Sequence, residues 1–86
     1  MAPETVATFV VDLLRRLHLS ETINENSEFG VDINTDENLR TLYYYAIVIE
    51  LESKGYKVHM LTPEACTRAL TVQDIIDNII ADKQEQ

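Results

Sequence analysis

The apolar residues of the chain fall into stripes that have the spacing of helices. The first stripe repeats every three or four positions and predicts a helix from Pro3 or Glu4 to about Leu17. Another stripe follows Thr71, which forms with Asp74 the spacing of a capping box, and predicts the last helix. The members of this last stripe, which we expect to be buried, are Val72, Ile75, Ile76, Ile79 and Ile80.

A long polar stretch follows the first helix, from His18 to about Glu37. It is rich in side chains that compete for local backbone hydrogen bonds, which favours irregular structure. Its scattered apolar residues are Ile23, Phe29, Val31 and Ile33. A structureless loop of this length is unusual in a small domain, so we expect these residues to anchor it to the core.

The second helix is expected to begin near Asp36 or Glu37 and to end around Ser53 or Lys54. Gly55 then follows, and glycine favours the left-handed conformation that ends a helix. Apolar and aromatic residues occupy nearly every side of this helix, which is unusual for a helix at a protein surface.

A β-strand from Leu42 to Leu51 is the alternative, since tyrosine, isoleucine and valine favour strands. We prefer the helix because of its length, its glycine stop and the absence of a second strong strand. Tyr43, Tyr44 and Tyr45 are then about 100° apart around the axis, so at least one of them should be exposed.

Thr62, Pro63 and Glu64 predict the start of a short third helix that ends at about Ala69. The complete pattern predicts an all-α four-helix bundle, with three longer helices, one short helix and a long loop between the first two helices. We expect one domain over residues 1–86, with residues 83–86 as a frayed tail.

Acidic residues outnumber basic ones by 15 to 7, and the formal net charge is −8. The segment from Leu17 to Leu39 contains six of the acids and no lysine or arginine. This charge disfavours nucleic acid as a partner and favours a protein with a basic docking patch. The alternative is that the acids only keep a small domain soluble.

Features of targeting and of metal or enzyme chemistry are absent from the sequence. Cys66 is the single cysteine, so no internal disulfide forms and a cytoplasmic protein is expected. Glu4 and the lack of a lysine or arginine before the first apolar stripe argue against a signal peptide. No apolar run approaches the length of a membrane span. His18, His59 and Cys66 lack the paired spacing of metal ligands, and no catalytic motif is present, so we expect neither a metal site nor an enzyme.

Four segments, in the same order along the chain, resemble those of acyl and peptidyl carrier proteins. Residues 24–29 resemble the loop stretch that leads into a phenylalanine, and residues 32–36 resemble the Asp-Leu-Gly-Ala-Asp that precedes the attachment serine. Residues 50–52 with Tyr56 resemble the end of that family's second helix, and residues 70–73 resemble the opening of its last helix. The resemblance covers nearly the whole chain and implies the carrier-protein fold.

The family's attachment serine, which carries the phosphopantetheine arm at the start of the second helix, is missing here. Counting back from Leu51 and Glu52 places Thr41 at its position, and counting forward from residues 32–36, with one extra residue allowed, places Asn38 there. The β-methyl group of threonine crowds its hydroxyl, and asparagine has no hydroxyl, so no phosphopantetheine is expected. The resemblance implies a docking surface formed by Asp36, Glu37, Arg40, Tyr43, Tyr44 and Glu50.

These observations favour an atypical carrier-protein-like domain that acts by protein–protein interaction with an acyl-processing enzyme of fatty-acid, polyketide or nonribosomal-peptide type. One alternative is a genuine acyl or aminoacyl carrier modified at Thr41, with phosphopantetheine as its cofactor. Another is an unrelated acidic helical inhibitor or immunity protein. The oligomeric state is left open by the sequence.

Overall fold

The computed structural model describes residues 4–83 of the 86-residue chain. Within this part, four helices and one two-stranded antiparallel sheet are present. In chain order, they are α1 (Glu4–His18), α2 (Glu37–Ser53), β1 (Tyr56–His59), α3 (Pro63–Arg68), α4 (Val72–Asp77) and β2 (Ile80–Lys83). No helix of residues 4–83 combines the length and the apolar character needed to cross a membrane.

The predicted second helix is confirmed, and the strand alternative for residues 42–51 is wrong. Asp36 is the N-cap of α2, and its carboxylate accepts a hydrogen bond from the Leu39 amide at 2.8 Å. Gly55 follows the helix with a φ of +89°, a left-handed conformation that glycine adopts without steric cost. The boundaries of α1 and α3 also agree with the predicted ones.

The predicted all-α bundle is wrong because β1 pairs with β2. Their register places Tyr56 opposite Lys83 and His59 opposite Ile80. The last helix ends at Asp77 instead of continuing to Ile80, and the chain then becomes extended. Alternation explains the difference, since Ile79 and Ala81 are buried whereas Ile80 is 39% exposed. The expected burial of Ile80 is therefore wrong.

The expected frayed tail begins at residue 83, but Lys83 belongs to β2. Its ammonium group donates to the Lys54 carbonyl at 2.8 Å and lies 4.8 Å from the centre of the Tyr56 ring. These contacts connect the end of the described chain to the turn that follows α2. Residues 84–86 lie outside the described residues.

The core lies between one face of α1, one face of α2 and the inner sides of α3, α4 and β2. Its fully buried large side chains include Leu14 of α1, Tyr43, Ile47 and Leu51 of α2, and Ile75 of α4. Burial of an aliphatic side chain of this size stabilises the fold by about 1.5–3 kcal/mol.

The long loop between α1 and α2 is attached to the core, as expected. Ile23 and Ile33 are buried and Phe29 is partly buried, but Val31 is 76% exposed, so its expected anchoring role is wrong. Backbone hydrogen bonds also tie the loop to the start of α4. They run from Phe29 N–H to Leu70 O, from Val72 N–H to Ser27 O and from Gln73 N–H to Glu25 O, at 2.8–3.1 Å.

Candidate functional site

The first turn of α2 places an exposed acidic surface at the end of the loop. Asp36, Glu37 and Asn38 are all exposed. Negative charge at this end complements the helix dipole, and the Asp36 carboxylate also caps the helix. These two carboxylates are part of the docking surface that the resemblance implied.

The two candidate attachment positions lie on successive turns of α2. Asn38 is the second residue of the helix, and its side chain is an amide. Thr41 is the fifth residue, and its hydroxyl donates to the Glu37 carbonyl at 3.0 Å. This bond back to the preceding turn occupies the hydroxyl proton of Thr41. The start of the helix therefore presents no free hydroxyl group from either residue.

Arg40 points into the molecule and joins three segments. Its Nε donates to the Cys66 carbonyl at 3.2 Å, and a terminal nitrogen donates to the Ala69 carbonyl. Its guanidinium lies 4.6 Å from the centre of the Phe29 ring, in a cation–π contact. Arg40 thus satisfies carbonyls at the end of α3 and holds the loop, so its guanidinium is occupied by intramolecular contacts.

Tyr43 is fully buried and cannot contact a partner in this conformation. Its hydroxyl donates to Thr35 Oγ1 at 3.1 Å and therefore accepts from the Nε2 proton of His18. Burial raises the pKa of Tyr43 and lowers the pKa of His18. These bonds connect the end of α1 with the residue that precedes the α2 cap.

Tyr44 and Glu50 are partly buried and already have neighbours. The ring of Tyr44 meets that of Tyr45 edge to face at 5.0 Å. The Glu50 carboxylate forms ion pairs with Arg16 at 3.3 Å and with Lys54 at 3.4 Å. Among the implied docking residues, Asp36 and Glu37 are therefore the exposed ones.

The structure reveals an apolar surface that the sequence analysis did not single out. Leu42, Tyr45 and Ile49 are 58%, 53% and 67% exposed, and they follow one another at spacings of three and four residues along α2. They form one face of the helix, which we call the outer stripe. The exposure of Tyr45 confirms that one of the three tyrosines faces solvent. The spacing was present in the sequence, but a second apolar stripe on the same helix, formed by Tyr43, Ile47 and Leu51, obscured it.

Other reactive groups are spread over the fold. Cys66 is fully buried, and burial raises the pKa of its thiol to about 11, which makes it a poor nucleophile. His59 Nε2 lies 3.3 Å from the Asp82 carboxylate on the outer side of the sheet. Within residues 4–83, no three His, Cys, Asp or Glu side chains are grouped so that they could hold a metal ion.

Comparisons of the chain with models of known protein families, with curated proteins and with solved structures found no match. The carrier-protein resemblance therefore depends on the sequence segments alone.

Proposed function

We propose that the domain is an atypical acyl-carrier-protein-like domain that binds an acyl-processing enzyme and carries no phosphopantetheine arm. The observation that supports this function is the start of α2, where exposed carboxylates surround a position that has no free hydroxyl. The enzyme would be of fatty-acid, polyketide or nonribosomal-peptide type, as the resemblance implies.

The acidic surface supports docking to a basic partner. Asp36 and Glu37 are exposed, as are Glu28 and Asp32 of the preceding loop. A patch of lysines or arginines on the partner would be attracted to these four carboxylates, and the attraction would weaken with salt. Asp36 has an additional structural role as the cap of α2, so Glu37 is the better residue for testing the interaction.

The side chains at the two candidate attachment positions support a function that does not require a phosphopantetheine arm. Attachment of phosphopantetheine requires an accessible hydroxyl that attacks the pyrophosphate of coenzyme A. Asn38 supplies none, and the Thr41 hydroxyl is bonded to Glu37 O one turn inside the helix. The β-methyl group of Thr41 further restricts its rotamers.

Incubation with coenzyme A and a broad-specificity phosphopantetheinyl transferase, followed by intact-mass measurement, tests the proposal. We expect the natural protein to remain unmodified and Asn38→Ser to gain the arm, because residue 38 lies in the exposed first turn. Thr41→Ser tests the other candidate position. Thr67→Ser is its matched control, since Thr67, like Thr41, donates to a carbonyl of the preceding turn, at 3.1 Å, but lies on α3.

A second variant tests whether the acidic surface guides the transferase. Adding Glu37→Lys to Asn38→Ser should slow modification, whereas adding Glu52→Lys should not. Glu52 is also exposed on α2, but it lies about 22 Å from Glu37 along the helix axis. Modification of the natural protein would establish the carrier alternative. If neither Asn38→Ser nor Thr41→Ser gains the arm, the start of α2 does not resemble the docking surface of a carrier protein.

A further inference from the structure

The strand β2 is attached to the rest of the molecule by few buried groups. Ala81 is its one buried residue, and it lies opposite Val58 of β1. The other side-chain contacts are polar and exposed. His59 Nε2 lies 3.3 Å from the Asp82 carboxylate, and the Lys83 ammonium donates to a carbonyl of the turn that follows α2, at 2.8 Å. Exposed contacts of this kind contribute little net stability, and a two-stranded ladder is marginal by itself.

The helix that precedes β2 has no stop signal. Neither glycine nor proline, the residues that commonly follow the end of a helix, occurs after Pro63. Backbone bonds of a helical turn already extend beyond α4, since the amides of Asn78 and Ile79 each donate to the carbonyl three residues earlier, at 3.0 Å. The extended backbone of β2 begins at the next residue, Ile80.

Continuation of α4 by one turn would keep the buried side of this segment. Ile79 is fully buried in the described conformation, and in a longer helix it lies on the same stripe as Ile76. Ile80 follows Ile76 by four residues and belongs to this stripe, whereas in β2 it is 39% exposed. The strand buries the methyl group of Ala81, and the longer helix buries more of the larger Ile80 side chain. Each conformation therefore has apolar burial in its favour.

We propose that β2 is a detachable strap, and that residues 80–83 exchange between the described strand and a minor state in which α4 continues through Ile80. The strand is the major state because its pairing with β1 and the contacts of Lys83 hold it in place. Detachment uncovers Val58 and releases the turn that follows α2, at the end of that helix opposite to its acidic start. The exchange does not depend on the function proposed above.

Carbon-13 chemical-exchange saturation transfer on the full chain measures the minor state. We expect a population of about 0.1–10%, with Cα shifts at Ile80 and Ala81 that have the sign of a helix. The same exchange rate should appear at Val58, because the two strands separate in one step.

Two variants should shift this population in opposite directions. Lys83→Gln removes the ammonium contacts of the strand and keeps a good helix former, so the minor state should become about two- to fivefold more populated. Ile80→Thr keeps a β-branched residue for the strand and removes apolar area that the longer helix would bury, so the minor state should become less populated by a similar factor or more. Arg68→Gln is the matched control for Lys83→Gln, because Arg68 is exposed but lies on α3, and it should leave the population unchanged.

Three results would overturn the proposal. One is a minor state at residues 80–82 with the shifts of an unfolded chain, since that state is a frayed end. Another is the absence of a helical minor state from both the natural protein and Lys83→Gln. The third is a minor-state population that Ile80→Thr leaves unchanged.

Discussion

The two faces of α2 have similar composition and different surroundings. The inner face contributes Tyr43, Ile47 and Leu51, which are at most 1% exposed, whereas the outer face contributes Leu42, Tyr45 and Ile49, each more than half exposed. Both faces contain a tyrosine, an isoleucine and a leucine. The difference shows that hydrophobicity alone does not decide which side of a helix is buried. The neighbouring elements decide it, and here α1, α3 and the loop cover only the inner face.

A charge placed on each face of α2 should give the largest difference in the free energy of unfolding between the two variants. Ile47→Asp should destabilise the domain by more than about 3 kcal/mol, because an unpaired carboxylate would be buried in the core. This is a large part of the 5–15 kcal/mol that is typical of a domain. Ile49→Asp should change the free energy of unfolding by less than about 0.5 kcal/mol. Urea unfolding of both variants measures the difference, and equal destabilisation would contradict the assignment of the two faces.

Removal of one hydroxyl group from each face should give a smaller contrast. Tyr43→Phe should cost about 1–2 kcal/mol, because Thr35 and the His18 Nε2 proton both lose their partner in a poorly solvated site. Tyr45→Phe should be close to neutral, since the Tyr45 side chain faces solvent. Thermal unfolding monitored by circular dichroism is sufficient for this comparison. A neutral Tyr43→Phe variant would show that the hydroxyl contacts contribute no net stability.

Acidification should give the smallest of the three changes in stability. It should act through His18, whose ring contacts the Tyr43 hydroxyl of the inner face. Burial lowers the pKa of His18 below its ordinary value of 6.5, so above that pH His18 is neutral in both the folded and the unfolded chain. As the pH falls below 6.5, the unfolded chain binds the proton first, and the folded state loses stability until the lower folded pKa is reached. We expect a shallow decrease in the free energy of unfolding over this interval.

The matched variant for this prediction is His18→Asn, which retains a side-chain donor but does not titrate. It should flatten the contribution of His18 to the pH dependence, and chemical shifts of the His18 ring in the natural protein should give a pKa below 6.5. A pKa above 6.5 would reverse the sign of the effect.

The helices could be predicted because their signals are local. Thr62 with Pro63, Thr71 with Asp74, and the stop at Gly55 each define a boundary within a few residues. The sheet could not be predicted in the same way. Its two strands have four residues each and are separated by α3 and α4. Ile79, which precedes β2, and Ile80, which begins it, continue the spacing of the preceding helix. Pairing between distant segments leaves little trace in a single sequence.

The candidate site could be predicted only in part, because some of its features depend on the local sequence and others depend on packing between distant segments. Acidic residues favour the exposed N-terminus of a helix. Asp36, which caps α2, and Glu37, in its first turn, follow this preference. The directions in which the side chains of Arg40 and Tyr43 point depend on the positions of the loop and α3. Both residues were expected at a docking surface, whereas Arg40 binds carbonyls at the end of α3 and Tyr43 lies in the core.

The backbone bonds between the long loop and the start of α4 have a consequence for folding kinetics. Each bond joins residues more than forty positions apart in the chain, so it forms only after a long segment has been closed. Domains rich in such distant contacts fold more slowly than simple helical bundles of similar size. The amides of Phe29, Val72 and Gln73 should therefore become protected late during refolding, after the amides inside α1 and α2. Pulsed hydrogen exchange would resolve this order.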